Sequence, residues 1–166
     1  MKFMLGGKAF YGADIQALKE RIQDSEFGIQ ENEPGNYSTQ DIREDYLKAL
    51  LSAYDGARPL RVAWDAGNGA AGEMMQQLCN RLPGEHIALN ATIDGTFPAH
   101  HPDPTVPKNL VQLIDTVRRE QCDLGIAFDG DGDRIGVVDN EGEILWGVQL
   151  LMIYAADILK ERPGAT

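Results

Sequence analysis

Three aspartates alternate with two glycines in Asp129-Gly130-Asp131-Gly132-Asp133, and Arg134 follows at once. In an extended chain, alternate side chains share a face at a spacing of roughly 6.5–7 Å, too wide for three carboxylates to meet on one ion. Gly130 and Gly132 can adopt backbone angles closed to other residues, so the loop can curl and bring the carboxylates together. Converged carboxylates repel one another, and a hard divalent cation with oxygen ligands removes that repulsion. Magnesium held in this way keeps positions open for water or a phosphate oxygen. A guanidinium at the rim, Arg134, can grip a phosphate in a bidentate manner. Metal plus arginine is the recurring apparatus of phosphoryl transfer, where catalysis is mainly positioning and charge neutralisation. The pattern predicts a Mg²⁺ site with Asp129, Asp131 and Asp133 as ligands and Arg134 as a phosphate contact.

Other readings of the loop fit less well. A solvated turn needs one or two such residues, and five in strict alternation is excessive. A calcium EF-hand loop starting at Asp129 requires Gly at position six and Glu at position twelve, where this sequence has Arg134 and Asn140. A non-catalytic Ca²⁺-binding module remains the rival from another class. An aspartyl-phosphate phosphotransferase of the haloacid-dehalogenase type also places Asp-x-Asp after a strand, with the first aspartate as nucleophile. In that case Asp133 stands where threonine or valine is usual, and little sequence follows for further acidic and lysine motifs. It is the alternative mechanism.

Three further features invite chemistry and read more simply as structure. Asp65-Ala66-Gly67-Asn68-Gly69 follows an apolar run and precedes a helical one. It lacks a P-loop lysine and the full dinucleotide fingerprint, so a tight strand-to-helix turn is expected. His100 and His101 are adjacent, point opposite ways on an extended segment, and cannot easily share a metal. With Pro98, Pro102, Pro104 and Pro107 around them, they predict a rigid structural loop. Ser38 or Thr39 reads as the cap of a helix with Asp41 in its first turn, not as a nucleophile.

The elements that must position the acidic loop follow from periodicity. An amphipathic helix is expected over Ala13–Ile22, a linker over Phe27–Tyr37, and a helix with Ile42, Tyr46, Leu47, Leu50 and Leu51 on its apolar face. From Pro59 onward the order changes. Strands are expected at Leu60–Trp64, Ile87–Thr92, Asp123–Phe128, Ile135–Asp139 and Ile144–Trp146. Helices are expected at Ala70–Leu82, Lys108–Glu120 and Val148–Glu161. Trp64 and Trp146 fit strand core. This order predicts an α/β fold, three-layer αβα, with a mostly parallel sheet and a hairpin carrying the metal loop. The first 58 residues do not make a core of their own.

Composition bounds the partners. The 166 residues are 43% hydrophobic and carry a formal net charge of −11. Nucleic acid is excluded as a partner by repulsion of its phosphates, whereas a metal ion can reverse the local sign for a small phosphorylated ligand. No run suits a membrane span or a signal peptide. Cys79 and Cys122 sit in apolar periodic stretches and read as small buried residues of a reduced, cytoplasmic protein.

These segments resemble those of a known family, the α-D-phosphohexomutases, in their bacterial phosphomannomutase/phosphoglucomutase branch. Gly125 to Asp139 looks like that family's metal loop, Val62 to Gly72 like the start of its second domain, and Asp94 to Pro104 like a segment between them. The resemblance implies an isomerase of carbohydrate metabolism, an intramolecular phosphotransferase that interconverts glucose or mannose 1- and 6-phosphates. A phosphoserine gives its phosphoryl group to the sugar, and a bisphosphate intermediate turns around and returns the other. It further implies that residues 1–58 are the tail of domain 1 plus a linker and residues 59–166 the metal-binding domain 2. It maps the Mg²⁺ ligands to Asp129, Asp131 and Asp133, and the arginine beside the phosphoserine to Arg134. The family's Thr-Ala-Ser-His-Asn-Pro-type serine loop does not occur in this sequence. No catalytic nucleophile is therefore assigned here, and the chain alone is expected to be inactive.

Overall fold

The computed structural model describes residues 3–23, 36–56 and 58–165. Two compact units divide the chain, one ending at Gln40 and one beginning at Asp41.

In the first unit, β1 (Phe3–Leu5) and β2 (Lys8–Phe10) pair antiparallel, with Phe3 opposite Phe10. Gly6 and Gly7 both have positive φ, which a two-residue turn between twisted strands demands. Strands of three mostly exposed residues carry no readable alternation, so this hairpin is absent from the sequence expectation. Helix α1 (Ala13–Gln23) falls where it was expected, but none of its residues is buried, and Ile15, Leu18 and Ile22 are exposed. The linker expected over residues 27–37 lies mostly outside the described residues.

The second unit opens with α2 (Arg43–Ser52), which buries Leu47. Its N-cap is Ile42, not Ser38 or Thr39. Asp41 takes over the capping work instead: its Oδ1 accepts the Arg43 N–H at 3.0 Å. The sheet comprises β3 (Leu60–Asp65), β4 (Gly84–Leu89), β5 (Leu124–Phe128), β6 (Ile135–Asp139) and β7 (Ile144–Leu145), in spatial order β4-β3-β5-β6-β7. β3 runs parallel to β4 and β5, whereas β5–β6 and β6–β7 are antiparallel. The sheet is therefore mixed, parallel at one side and antiparallel at the side that carries the acidic hairpin.

Helices cover both faces. On one face Val62, Trp64 and Ala66 pack with Met75 and Cys79 of α3 (Gly72–Cys79). On the other, Ala63, Ala127 and Val138 pack with Leu110, Leu113, Val117 and Cys122 around α4 (Val111–Arg119). Strand alternation sends neighbouring side chains of β3 to opposite layers, so one strand serves two cores. Helix α4 begins after a 3-10 turn at Pro107–Leu110, later than the sequence suggests, because a proline opens the segment. β4 starts at Gly84 rather than Ile87: pairing with Leu60–Asp65 draws Glu85 and His86 into the ladder despite their polarity.

Helix α5 (Gly147–Glu161) falls where a helix is expected. It buries only Leu150, while Val148, Leu151 and Met152 are each about two-thirds or more exposed. Trp146, expected in strand core, is half exposed and stands at the start of α5, where its N–H donates to Gln149 Oε1 at 2.8 Å. Among the described residues no helix is long and apolar enough to cross a membrane.

This topology fixes where a site can form. The chain passes from β3 to β4 on one side and reaches β5 on the other. The loops leaving β3 and β5 thus diverge at adjacent carboxyl ends of parallel strands, the crevice where open α/β sheets bind ligands.

Candidate metal and phosphate site

The acidic loop leaves β5 at Asp129, which is 3% exposed. It turns tightly: the Gly132 N–H donates to the Asp129 carbonyl at 3.1 Å, and β6 begins at Ile135. The two glycines serve different ends. Gly132 has φ +75, as the curl requires. Gly130 is not at positive φ. A Cβ there would lie 3.3 Å from Pro102 Cγ, a close contact that the proline ring would have to yield to slightly. The expectation that both glycines relax the backbone therefore holds for Gly132 alone.

The curl brings the carboxylates together. One oxygen each from Asp129, Asp131 and Asp133 lie within 4.8 Å of one another, with Asp129 buried and the other two exposed. Asp129 is oriented by Arg134 on both oxygens. The Arg134 backbone N–H donates to Oδ1 at 2.9 Å, and Nε donates to Oδ2 at 2.9 Å. Burial alone would raise the Asp129 pKa, but the hydrogen bonds and charge of Arg134 outweigh it and hold the carboxyl below its usual range. The same contact strengthens the hold of Arg134 on its proton. Asp129 is thus ionised and fixed, and the guanidinium, half exposed, sits at the rim.

A second loop supports the first. Gly67 and Asn68 both adopt positive φ, so residues 65–69 form the expected strand-to-helix turn. The Ala70 N–H donates to the Gly130 carbonyl at 2.9 Å, docking this turn on the acidic loop. Asp65, wholly buried, accepts from the Gly67 N–H at 2.9 Å and from Asn90 Nδ2 at 2.8 Å through Oδ1, while Oδ2 meets His100 Nε2 at 2.9 Å. His100 Nδ1 lies 3.1 Å from the His101 carbonyl. The two histidines share no ligand position. His100 ties residues 98–104 to the end of β3, and His101 is exposed.

The sequence reading missed two participants. Asp103 accepts from Arg134 Nη1 at 3.1 Å, and Asn90 braces Asp65. Both contacts join segments distant in sequence, and no spacing rule announces them.

Residues 44–142 match the family described as phosphoglucomutase/phosphomannomutase, alpha/beta/alpha domain II. The chain belongs to that family. The match spans both loops and ends before α5. Over 164 residues, 99% of the chain, it is 42% identical to a phosphomannomutase/phosphoglucomutase of Pseudomonas aeruginosa and 40% identical to a phosphoglucomutase of Neisseria meningitidis. A crystal structure of a phosphoglucomutase/phosphomannomutase family protein from Burkholderia thailandensis superimposes with a TM-score of 0.87 at 41% identity, covering 99% of the chain and 35% of that protein. The chain likewise spans 35% of the length of the two curated relatives.

Proposed function

We propose that this phosphoglucomutase/phosphomannomutase family chain is the metal-binding part of an enzyme that interconverts hexose 1-phosphates and 6-phosphates of glucose or mannose. In this reading residues 59–166 are the metal-binding domain, and residues 1–58 are the tail of a preceding domain with its linker. The observation that carries the reading is the convergence of three carboxylate oxygens within 4.8 Å beside an arginine, at the carboxyl ends of β3 and β5.

The donor set suits Mg²⁺: hard oxygen ligands, all carboxylate, with one buried and oriented and two open to solvent. Asp129, Asp131 and Asp133 would hold the ion, and Arg134 would donate to the phosphate. When bound, the ion neutralises charge at a phosphoserine supplied from outside this chain. Arg134 keeps Asp129 ionised and turned toward the site while offering its remaining N–H donors to phosphate oxygens. The phosphoryl group passes from that serine to the sugar, a bisphosphate turns around, and the other phosphoryl group returns to the serine. With no nucleophile assigned in this chain, it turns over no hexose phosphate by itself. It binds the cation weakly, because one ligand comes from the serine loop.

Thermal unfolding with Mg²⁺ and with Ca²⁺, beside a mutase assay on glucose and mannose phosphates, tests this. Stabilisation by Mg²⁺ without turnover is the expected result. Stabilisation by Ca²⁺ alone points to a non-catalytic calcium module, and measurable turnover overturns the assignment of the nucleophile outside the chain.

A further inference from the structure

Arg134 is held from two directions. Nε reaches Asp129 within the acidic loop, and Nη1 reaches Asp103 Oδ1 at 3.1 Å across 31 residues of sequence. Asp129 alone leaves the guanidinium able to swing about its one side-chain bond. A second acceptor on an independent segment removes that freedom.

The segment carrying Asp103 is built to stay in place. Asp103 Oδ1 also accepts from the Thr105 N–H at 3.1 Å and the Thr105 hydroxyl at 2.7 Å. The Asp103 N–H donates to the His101 carbonyl at 2.9 Å, and its own carbonyl accepts from Asn109 Nδ2 at 2.9 Å. Pro102 and Pro104 on either side are buried. Pro104 lies against Gly136 so closely that a Cβ there would fall 2.7 Å from Pro104 Cβ, and Pro102 lies against Gly130. His100 fastens the same segment to Asp65. Residues 100–104 thus grip the acidic hairpin on both flanks while standing outside it.

We propose that Asp103 is a positioning residue, setting the direction in which Arg134 meets a phosphate. This rests on the phosphate-contact reading of Arg134. The competing view is that Asp103 only shapes its own turn with Thr105.

The test uses the 15N-labelled 166-residue chain. The Arg134 Nε–Hε signal reports whether the guanidinium is fixed, whatever it binds. Asp103→Asn is expected to move that signal toward the value of a mobile arginine and to speed its solvent exchange, leaving the amides of residues 65–69 in place. Thr105→Ala is expected to leave the Arg134 signal where it is. With Mg²⁺ present and O-phospho-L-serine as probe, Asp103→Asn weakens binding roughly two- to fivefold, the scale of one half-exposed ion pair. The same substitution in an Arg134→Ala background adds nothing. An unmoved Arg134 signal in Asp103→Asn, or an equal movement in Thr105→Ala, overturns the proposal. A moved signal together with unchanged phosphoserine binding in Arg134→Ala supports the positioning claim and overturns the phosphate reading beneath it.

Discussion

Two aspartate–glycine loops leave the same end of the sheet, after β3 and after β5, and treat their carboxylates in opposite ways. In the first, Asp65 is wholly buried, and each oxygen is engaged by a neighbour: Gly67 and Asn90 on one, His100 on the other. Its binding capacity is spent on holding the turn and the 98–104 loop. In the second, Arg134 engages both oxygens of buried Asp129, while Asp131 and Asp133 are exposed, with one oxygen of each of the three within 4.8 Å of the others. Similar residues at equivalent positions therefore make a strut in one loop and an open carboxylate cluster in the other. The difference lies in the partners that the rest of the chain supplies. His100 and Asn90 come to Asp65, which is wholly buried, whereas Asp131 is exposed.

That contrast makes stability and cation response separable. Asp65→Ala removes a buried carboxylate and strands Asn90, His100 and a backbone N–H, so about 3–5 kcal/mol of stability is expected to disappear in urea unfolding. Gly136→Ala drives a Cβ into Pro104 and should cost about 1–3 kcal/mol in the same experiment. Asp131→Asn should change stability by less than about 0.5 kcal/mol, because the side chain is exposed, yet abolish the Mg²⁺ response. A stability loss for Asp131→Asn as large as that for Asp65→Ala would collapse the distinction between the loops.

Acid sharpens the comparison more gently. Thr105 holds Asp103 below its usual pKa, burial of Asp129 is outweighed by Arg134, and the Arg61 N–H lowers Asp123. Folded carboxyls with lowered pKa bind fewer protons than the unfolded chain, so stability rises with pH where they titrate. It is expected to be flat above about pH 5 and to fall progressively below about pH 4, where unfolded aspartates take up protons. Urea midpoints measured from pH 2.5 to 7 check the sign.

Much of this was legible in the residues. The apolar runs of β3 and β5, the inward face of α4 and the curl of the acidic loop follow from local pattern, and each lies close to where that pattern puts it. The Gly67-Asn68-Gly69 turn was readable for the same reason. What stayed hidden depends on tertiary partners. Hairpin β1–β2 is too short to show a period. β4 recruits Glu85 and His86 because β3 lies beside them. Ile42 is the N-cap of α2 in place of Ser38 or Thr39, with Asp41 before it accepting the Arg43 N–H, a choice set by where the chain enters the helix. Pro102 closes on Gly130, and Arg134 owes its second anchor to Asp103, across distances in sequence that no motif spans. Trp146 reads as strand core, yet it is half exposed at the start of α5.

The central claim is that the loop after β5, and not the loop after β3, binds a divalent cation. A Mg²⁺ titration of the 15N-labelled chain tests it most directly. Saturable shifts at the amides of Gly130, Asp131, Gly132 and Asp133, with Ala66, Gly67 and Asn68 nearly still, are the expected result. No shift across residues 129–134 at any Mg²⁺ concentration, or equal shifts in both loops, would contradict the account.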